Sequence, residues 1–249
     1  VENAKKNLIG NRSKDNNTLF MNFTNKEHHP KVFGRRQSRP LKEESQKLYD
    51  ELLPIIRFDP KTFNWNTDQK CVLEIGFGGG EHITFQALKN PDVQFIGAEP
   101  FINGVASLLK LIKQHNIHNI KIWDDDIHLL LDKIPKKEVF DLTYLLFADP
   151  WPKKRHHNRR FVQFHNIQHI HALLKPNGKW FIATDHVTYR EWILEHFDAS
   201  KALFTQQRPD IYERPPQEEW PETRYEAKGI KEGRHSAYMI YNKNNTCDQ

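Results

Sequence analysis

From residue 71 onward, short apolar runs alternate with segments of helical periodicity, and no other feature restricts the possible fold as much. Cys71 to Ile75, Gln94 to Ala98, Ile120 to Trp123, Asp141 to Phe147 and Trp180 to Thr184 read as strands. Glu81 to Lys89, Ile102 to His115, Phe161 to Leu174 and Glu191 to Phe197 read as helices. In the second of these helices Val105, Leu108, Leu109 and Ile112 share a face, and in the third Phe161, Phe164, Ile167, Ile170 and Leu174 do. Strands apolar on both sides need cover on both faces, and a helix after each strand makes the sheet mostly parallel. Two further strands are expected near Ala202 to Thr205 and at Ala237 to Tyr241. The expected fold class is α/β, Rossmann-like, with helices on both faces of the sheet.

The part before residue 71 differs. Residues 1–42 hold ten Lys/Arg against three Asp/Glu and show little apolar periodicity. Residues 1–40 are therefore expected to form a basic, disordered arm, and residues 41–249 a single catalytic domain. A helix is expected to follow the arm, with Leu41, Leu48, Tyr49, Leu52 and Ile56 on one face, Pro40 in its first turn and Pro54 distorting its end. The net charge of +5 points to a polyanionic partner. Cys71 and Cys247 are the two cysteines, too few for a disulfide framework or a zinc site, so no metal is expected. No stretch has the ~20 apolar residues of a membrane span, and residues 1–25 lack the apolar centre of a signal peptide. A cytoplasmic protein is the expectation.

The first strand runs into Gly76-Phe77-Gly78-Gly79-Gly80. In an open α/β sheet this first turn lies beside the point where strand order reverses and ligands bind. A pyrophosphate-binding turn would have glycine where this chain has Glu81, whose charge repels phosphate. The pattern Glu-x-Gly-x-Gly-x-Gly from Glu74 to Gly80 instead has the form that cradles S-adenosylmethionine, which carries no phosphate. Glycine turns alone are common; the following strand ends give this one its weight. Glu99, 23 positions after Gly76, is placed to accept from both ribose hydroxyls. Asp126 is placed to accept from the adenine amino group, and Glu74 to reach the ligand's ammonium. Asp124 and Asp125 read as solvated charges.

The fourth strand ends in Asp149-Pro150-Trp151-Pro152. Its tip should lie next to that of the first strand, so Asp149 should face the transferable methyl, in a turn stiffened by two prolines. Lys153-Lys154-Arg155-His156-His157-Asn158-Arg159-Arg160 follows, with five Lys/Arg in eight residues, directly before a helix. Such a run beside an active site is expected to grip phosphate. Asp185 at the fifth strand end and Thr223-Arg224-Tyr225-Glu226 in a long loop from Pro209 to Gly233 complete the set. Asp185 and Glu226 are candidate acceptors for the paired donors on guanine's Watson–Crick edge.

These residues resemble the tRNA (guanine-N7-)-methyltransferases, from roughly Phe33 to Tyr241. The resemblance rests on Gly34-Arg35-Arg36, the Glu74 to Gly80 turn, Glu99, Asp149 through His156, and Thr223 to Glu226. The Trp form of the Asp-Pro turn is similar to the bacterial, single-subunit branch. The resemblance implies a class I methyltransferase fold with a seven-stranded sheet, and methylation of the variable-loop guanine of tRNA without an obligatory protein partner, by a monomer or homodimer. It implies cofactor contacts from Glu74, Gly76, Gly78, Gly80, Glu99, Asp126 and Asp149. Substrate contacts fall to Lys153, Asp185, Thr223, Arg224, Tyr225 and Glu226, and RNA contacts to Arg35, Arg36, Lys154, Arg155, His156, Arg159 and Arg160. Guanine N7 has a lone pair and no proton, so Asp149 is expected to act by charge and orientation rather than as a base. Trp151 or Tyr225 is expected to stack on an extruded guanine. Two other readings are methylation of an exocyclic base amine and a non-catalytic RNA-binding module.

Overall fold

The computed structural model describes residues 36–65, 68–135 and 138–245. Most of the expected arm, Arg35 and Cys247 therefore lie outside the described residues. The apolar runs become strands with small changes of boundary. Among the described residues the elements are α1 (Glu43–Glu51), α2 (Leu53–Ile56), β1 (Cys71–Ile75), α3 (Glu81–Lys89), β2 (Gln94–Ala98), α4 (Ile102–His115), β3 (Ile120–Trp123), α5 (Ile127–Leu131), β4 (Phe140–Leu146), α6 (Phe164–Leu173), β5 (Leu174–Thr184), α7 (Val187–Ala199), β6 (Phe204–Gln206), α8 (Arg224–Lys231) and β7 (Ala237–Lys243).

They form one seven-stranded sheet in the order β3-β2-β1-β4-β5-β7-β6. β1 to β5 run parallel, and β7 lies antiparallel between β5 and β6. Strand order reverses between β1 and β4, which opens a crevice at their C-terminal ends. Alternation along β1 divides the core. Cys71, Leu73 and Ile75 pack on one face with Ile167, Ile170, Trp180 and Ile193, and Val72 packs on the other with Ile83, Leu108, Leu109 and Phe181. Each fully buried side chain, such as Leu73 or Ile83, contributes roughly 2–3 kcal/mol.

Several boundaries depart from the sequence expectation. Pro40 lies outside α1, whose first turn carries Glu43 and Glu44, which suit the positive end of a helix. Pro54 sits in the first turn of α2, where its missing N–H costs nothing, so the expected single helix is two. Phe147 leaves the strand with a φ of 51°. α6 starts at Phe164, because Gln163 is extended and the Val162 N–H donates to the Tyr189 hydroxyl at 3.4 Å. β5 starts six residues early and absorbs a bulge at Asn177, whose φ is 63°. The expected loop from 209 to 233 contains α8 and a core residue: Trp220 is 1% exposed and stacks on Phe181 at 4.9 Å.

Candidate active site

The glycine turn is built by backbone conformations that side chains resist. Gly76, Gly78 and Gly80 have φ of 73°, 56° and 86°. The Gly76 N–H donates to the Ala98 carbonyl at 2.8 Å, which ties the turn to the end of β2. Glu99 closes the pocket from that strand. Its Oε2 accepts from the Gly78 N–H and its Oε1 from the Phe101 N–H, both at 2.9 Å. Burial raises the Glu99 pKa, and the two amides counter that rise. Each of its oxygens keeps a further lone pair for a ligand hydroxyl.

Asp126 caps α5, its Oδ1 accepting from the His128 N–H at 2.9 Å and from His128 Nδ1 at 2.8 Å. Burial opposes its charge, but the His128 bonds outweigh burial and hold its carboxyl below the usual range. Glu74 is more deeply placed than expected. It is 2% exposed, and its Oε2 lies 2.7 Å from His82 Nδ1. The imidazole in turn meets Tyr144 at 4.5 Å and Trp220 at 4.7 Å between centroids. Glu74 thus supports the turn from inside, and His82, which the sequence reading did not single out, fixes its direction. Asp124 is not a solvated loop charge either, since Arg57 makes two bonds of 2.9 Å to it, whereas Asp125 stays partly exposed and pairs with Arg36. That pairing takes Arg36 to the rim of β3, where its side chain stays exposed and its carbonyl accepts from the Ile102 N–H at 2.8 Å.

Ile75 of β1 is in register with Leu145 of β4, so the glycine turn and the Asp149 turn face one crevice. Phe147 and Trp151 both have positive φ, 51° and 43°, so strained backbone brackets Asp149. Asp149 is open to solvent at the mouth, yet the walls remove enough water to raise its carboxyl pKa. The Arg159 guanidinium lies over the face of Trp151, 5.0 Å from the ring centre, and His156 meets the ring in an edge-on contact at 5.9 Å.

The basic run forms a 3-10 turn from Lys154 to Arg159 with no buried residue, and Lys153, Lys154 and Arg155 are exposed. Arg160 departs from the expected RNA-contacting role. It is 2% exposed, its Nε donates to the Pro150 carbonyl at 2.8 Å, and its other nitrogens reach Thr188. It packs over Tyr189 and Trp192, so it braces the Asp149 turn from behind and presents no charge to solvent. Desolvation lowers its pKa.

The tip of β5 and the start of α8 close the far side. Thr223 caps α8, accepting from the Glu226 N–H at 3.2 Å. Arg224 pairs with Glu81, and Tyr225 lies against Gly78, where a Cβ would stand 2.9 Å from the ring. Tyr225 thus reaches the cofactor turn, a contact not apparent from sequence distance. Asp185 pairs with Arg234 at 2.8 Å. Glu226 does not offer a carboxylate to a base. It is fully buried, Arg214 donates to both its oxygens at 2.7 and 3.2 Å, Trp220 Nε1 donates at 3.3 Å and the Tyr238 hydroxyl donates as well. No lone pair pointing to solvent is left, so its task is to anchor α8. Gly104 and Arg214 were likewise not legible as site residues.

The donor set fits S-adenosylmethionine. The turn offers close backbone approach, Glu99 and Asp126 are fixed acceptors, and the Arg224 guanidinium that lies against Gly79 is paired with Glu81. Among the described residues no His, Cys, Asp or Glu cluster could hold a metal ion, and no helix is long and apolar enough to cross a membrane. Fold and site together define a class I S-adenosylmethionine-dependent methyltransferase. A solved 16S rRNA methyltransferase, KamB, is similar in fold, with a TM-score of 0.50 at 12% identity over 82% of this chain and 94% of that one. Residues 68–239 match the family described as "Putative methyltransferase". The chain is 40% identical to a tRNA (guanine-N(7)-)-methyltransferase of Agrobacterium fabrum over 84% of this chain and 93% of the relative. The protein of the same name from Rhodospirillum rubrum is 38% identical over 86% and 88%. The chain belongs to the tRNA (guanine-N(7)-)-methyltransferase family.

Proposed function

We propose that this chain transfers the methyl group of S-adenosylmethionine to N7 of a guanine in tRNA, and that this guanine lies in the variable loop. One observation carries the reading: the glycine turn with its fixed carboxylates meets the Asp149-Pro150-Trp151-Pro152 turn in one crevice, and an exposed basic turn leads out of it. When bound, S-adenosylmethionine supplies a methyl group activated by positively charged sulfur. Glu99 accepts from the ribose hydroxyls and Asp126 from the adenine amino group. Asp149 orients the base and offsets the positive charge it acquires. Because N7 carries no proton, no side chain acts as general base, and orientation is the main contribution of the chain. Lys153, Lys154 and Arg155 hold phosphates near the crevice. The guanine is drawn out of the tRNA fold and stacks on Tyr225, which is 54% exposed and already lies on the glycine turn. The protein works in the cytoplasm as a monomer or homodimer, without an obligatory second subunit.

The test is to incubate the protein with unmodified tRNA transcript and methyl-labelled S-adenosylmethionine, then treat the product with borohydride and aniline. Strand scission at the labelled guanine is expected, since only an N7-methylated guanine cleaves. Label at an exocyclic amine, or no label, would overturn the proposal.

A further inference from the structure

A groove runs outward from Asp185, and beyond that residue no step of the proposed reaction uses it. It has a volume of about 830 Å³ and runs between the start of α7 and the turn joining α8 to β7. Its inner end is Asp185, just past the tip of β5. Since Ala183 of β5 is in register with Leu146 of β4, this end lies one strand from the Asp149 turn. Strands in a sheet are about 4.8 Å apart, so the inner end of the groove lies close to the mouth of the crevice.

The groove combines an aromatic face with uncompensated positive charge. Tyr212 is 53% exposed and carries the Arg190 guanidinium 5.6 Å from its ring centre. Its backbone is fixed: its N–H donates to Asp210 Oδ1 at 2.8 Å, and the neighbouring Ile211 carbonyl accepts from the Tyr238 N–H of β7 at 2.6 Å. Arg234 is paired with Asp185 and Glu232, whereas Arg190 has no carboxylate partner among the described residues. His235 is exposed beside them, and Val187 and Ile230, 52% and 57% exposed, add apolar rims. A flat ring, an adjacent guanidinium without a carboxylate partner among the described residues and apolar edges match the needs of an unpaired nucleotide: a base face to stack and a phosphate to neutralise.

We infer that this groove is a subsite for a nucleotide next to the methylated guanine in the same tRNA, with its base on Tyr212 and its phosphate on Arg190. The inference rests on the proposed tRNA substrate. A base drawn out of a folded RNA leaves its neighbour unstacked, and a stacking surface there offsets part of that cost. Nearness to Asp185 and the positive charge favour RNA over a protein partner as the occupant.

The test combines Tyr212→Ala with tRNA transcripts that carry an abasic nucleotide either just before or just after the target guanine. Each variant is first shown to melt as the parent does and to bind S-adenosylmethionine equally well. With intact tRNA, Tyr212→Ala is expected to raise KM about tenfold and leave kcat unchanged, the size of one lost base–aromatic stack. One of the two abasic transcripts should raise KM by a similar factor with the parent protein and by no further factor with Tyr212→Ala. Arg190→Ala should also raise KM and flatten its dependence on salt. Multiplicative losses, or an unchanged KM in Tyr212→Ala, would overturn the subsite and leave the groove to another occupant. A fall in kcat alone would also overturn it and assign the groove to the reacting guanine. If the parent protein methylates no tRNA, the functional proposal itself has failed, which is a separate outcome.

Discussion

Gly104, in the first turn of α4, stands against the carbonyl oxygen of Gly78, so close that a Cβ at 104 would overlap it. The helix and the glycine turn are thereby locked together, and Glu99, whose Cγ lies 3.4 Å from the same Cβ position, is locked with them. A backbone oxygen cannot step aside as a flexible side chain can. Gly104→Ala should therefore displace the Gly78 N–H from Glu99 and weaken S-adenosylmethionine binding by roughly tenfold or more, consistent with 1–3 kcal/mol of overpacking. A cofactor titration by calorimetry measures this. Unchanged affinity would separate the turn from the cofactor.

Asp149 gives a prediction in which activity and stability move in opposite directions. Asp149→Asn should lower kcat by about 100-fold or more, with tRNA affinity nearly retained, because a charge aimed at the developing cation is lost. Desolvation raises the folded-state pKa of this carboxyl, so ionisation works against the fold. The wild type is fully favoured below the ordinary aspartate value of 3.8 and loses that advantage as pH rises through the raised folded value. At neutral pH the Asn variant should accordingly melt higher, with the gap closing in acid. Melting curves across pH check the sign, and equal large losses of kcat and tRNA affinity would refute the assigned role.

Two arginines five positions apart should behave differently. Arg155→Ala should leave the melting temperature unchanged and reduce the salt slope of tRNA binding by about 1. Arg160→Ala should destabilise the fold by roughly 2–4 kcal/mol, since it strands the Pro150 and Thr188 carbonyls and removes a buried guanidinium. Denaturant melts together with binding at several salt concentrations separate the two. A flattened salt slope for a fully folded Arg160→Ala protein would contradict its burial.

Glu226→Gln should cost roughly 2–3 kcal/mol of stability by weakening the charged bonds from Arg214. Burial alone would raise the Glu226 pKa, but the Arg214 and Tyr238 bonds and the Trp220 N–H outweigh it and hold the carboxyl low. Its contribution is therefore present above the ordinary glutamate value of 4.5 and is lost as pH falls through the depressed folded value. The wild-type advantage over Glu226→Gln should shrink in acid. A gap that is constant with pH would mean that the network is not held by charge.

The sequence by itself determined the sheet and which residues stand at its strand tips. Five apolar runs and the helices between them pointed to a mostly parallel sheet, because strands apolar on both sides need cover on both faces and a helical crossover brings successive strands parallel. The glycines of the first turn, Glu99, Asp126 and Asp149 were legible because each follows a strand, and a strand end fixes where the next residues lie. Tertiary structure alone decided which charges remain available. Arg160 and Glu226 look like solvent-facing groups in a charged stretch, yet each is buried by partners 28 and 12 positions away. His82 and Gly104 join the site the same way, as does the contact of Tyr225 with Gly78, through packing between segments that no local pattern encodes. Burial and charge compensation are properties of the assembled surroundings, and those exist only once distant parts of the chain have met.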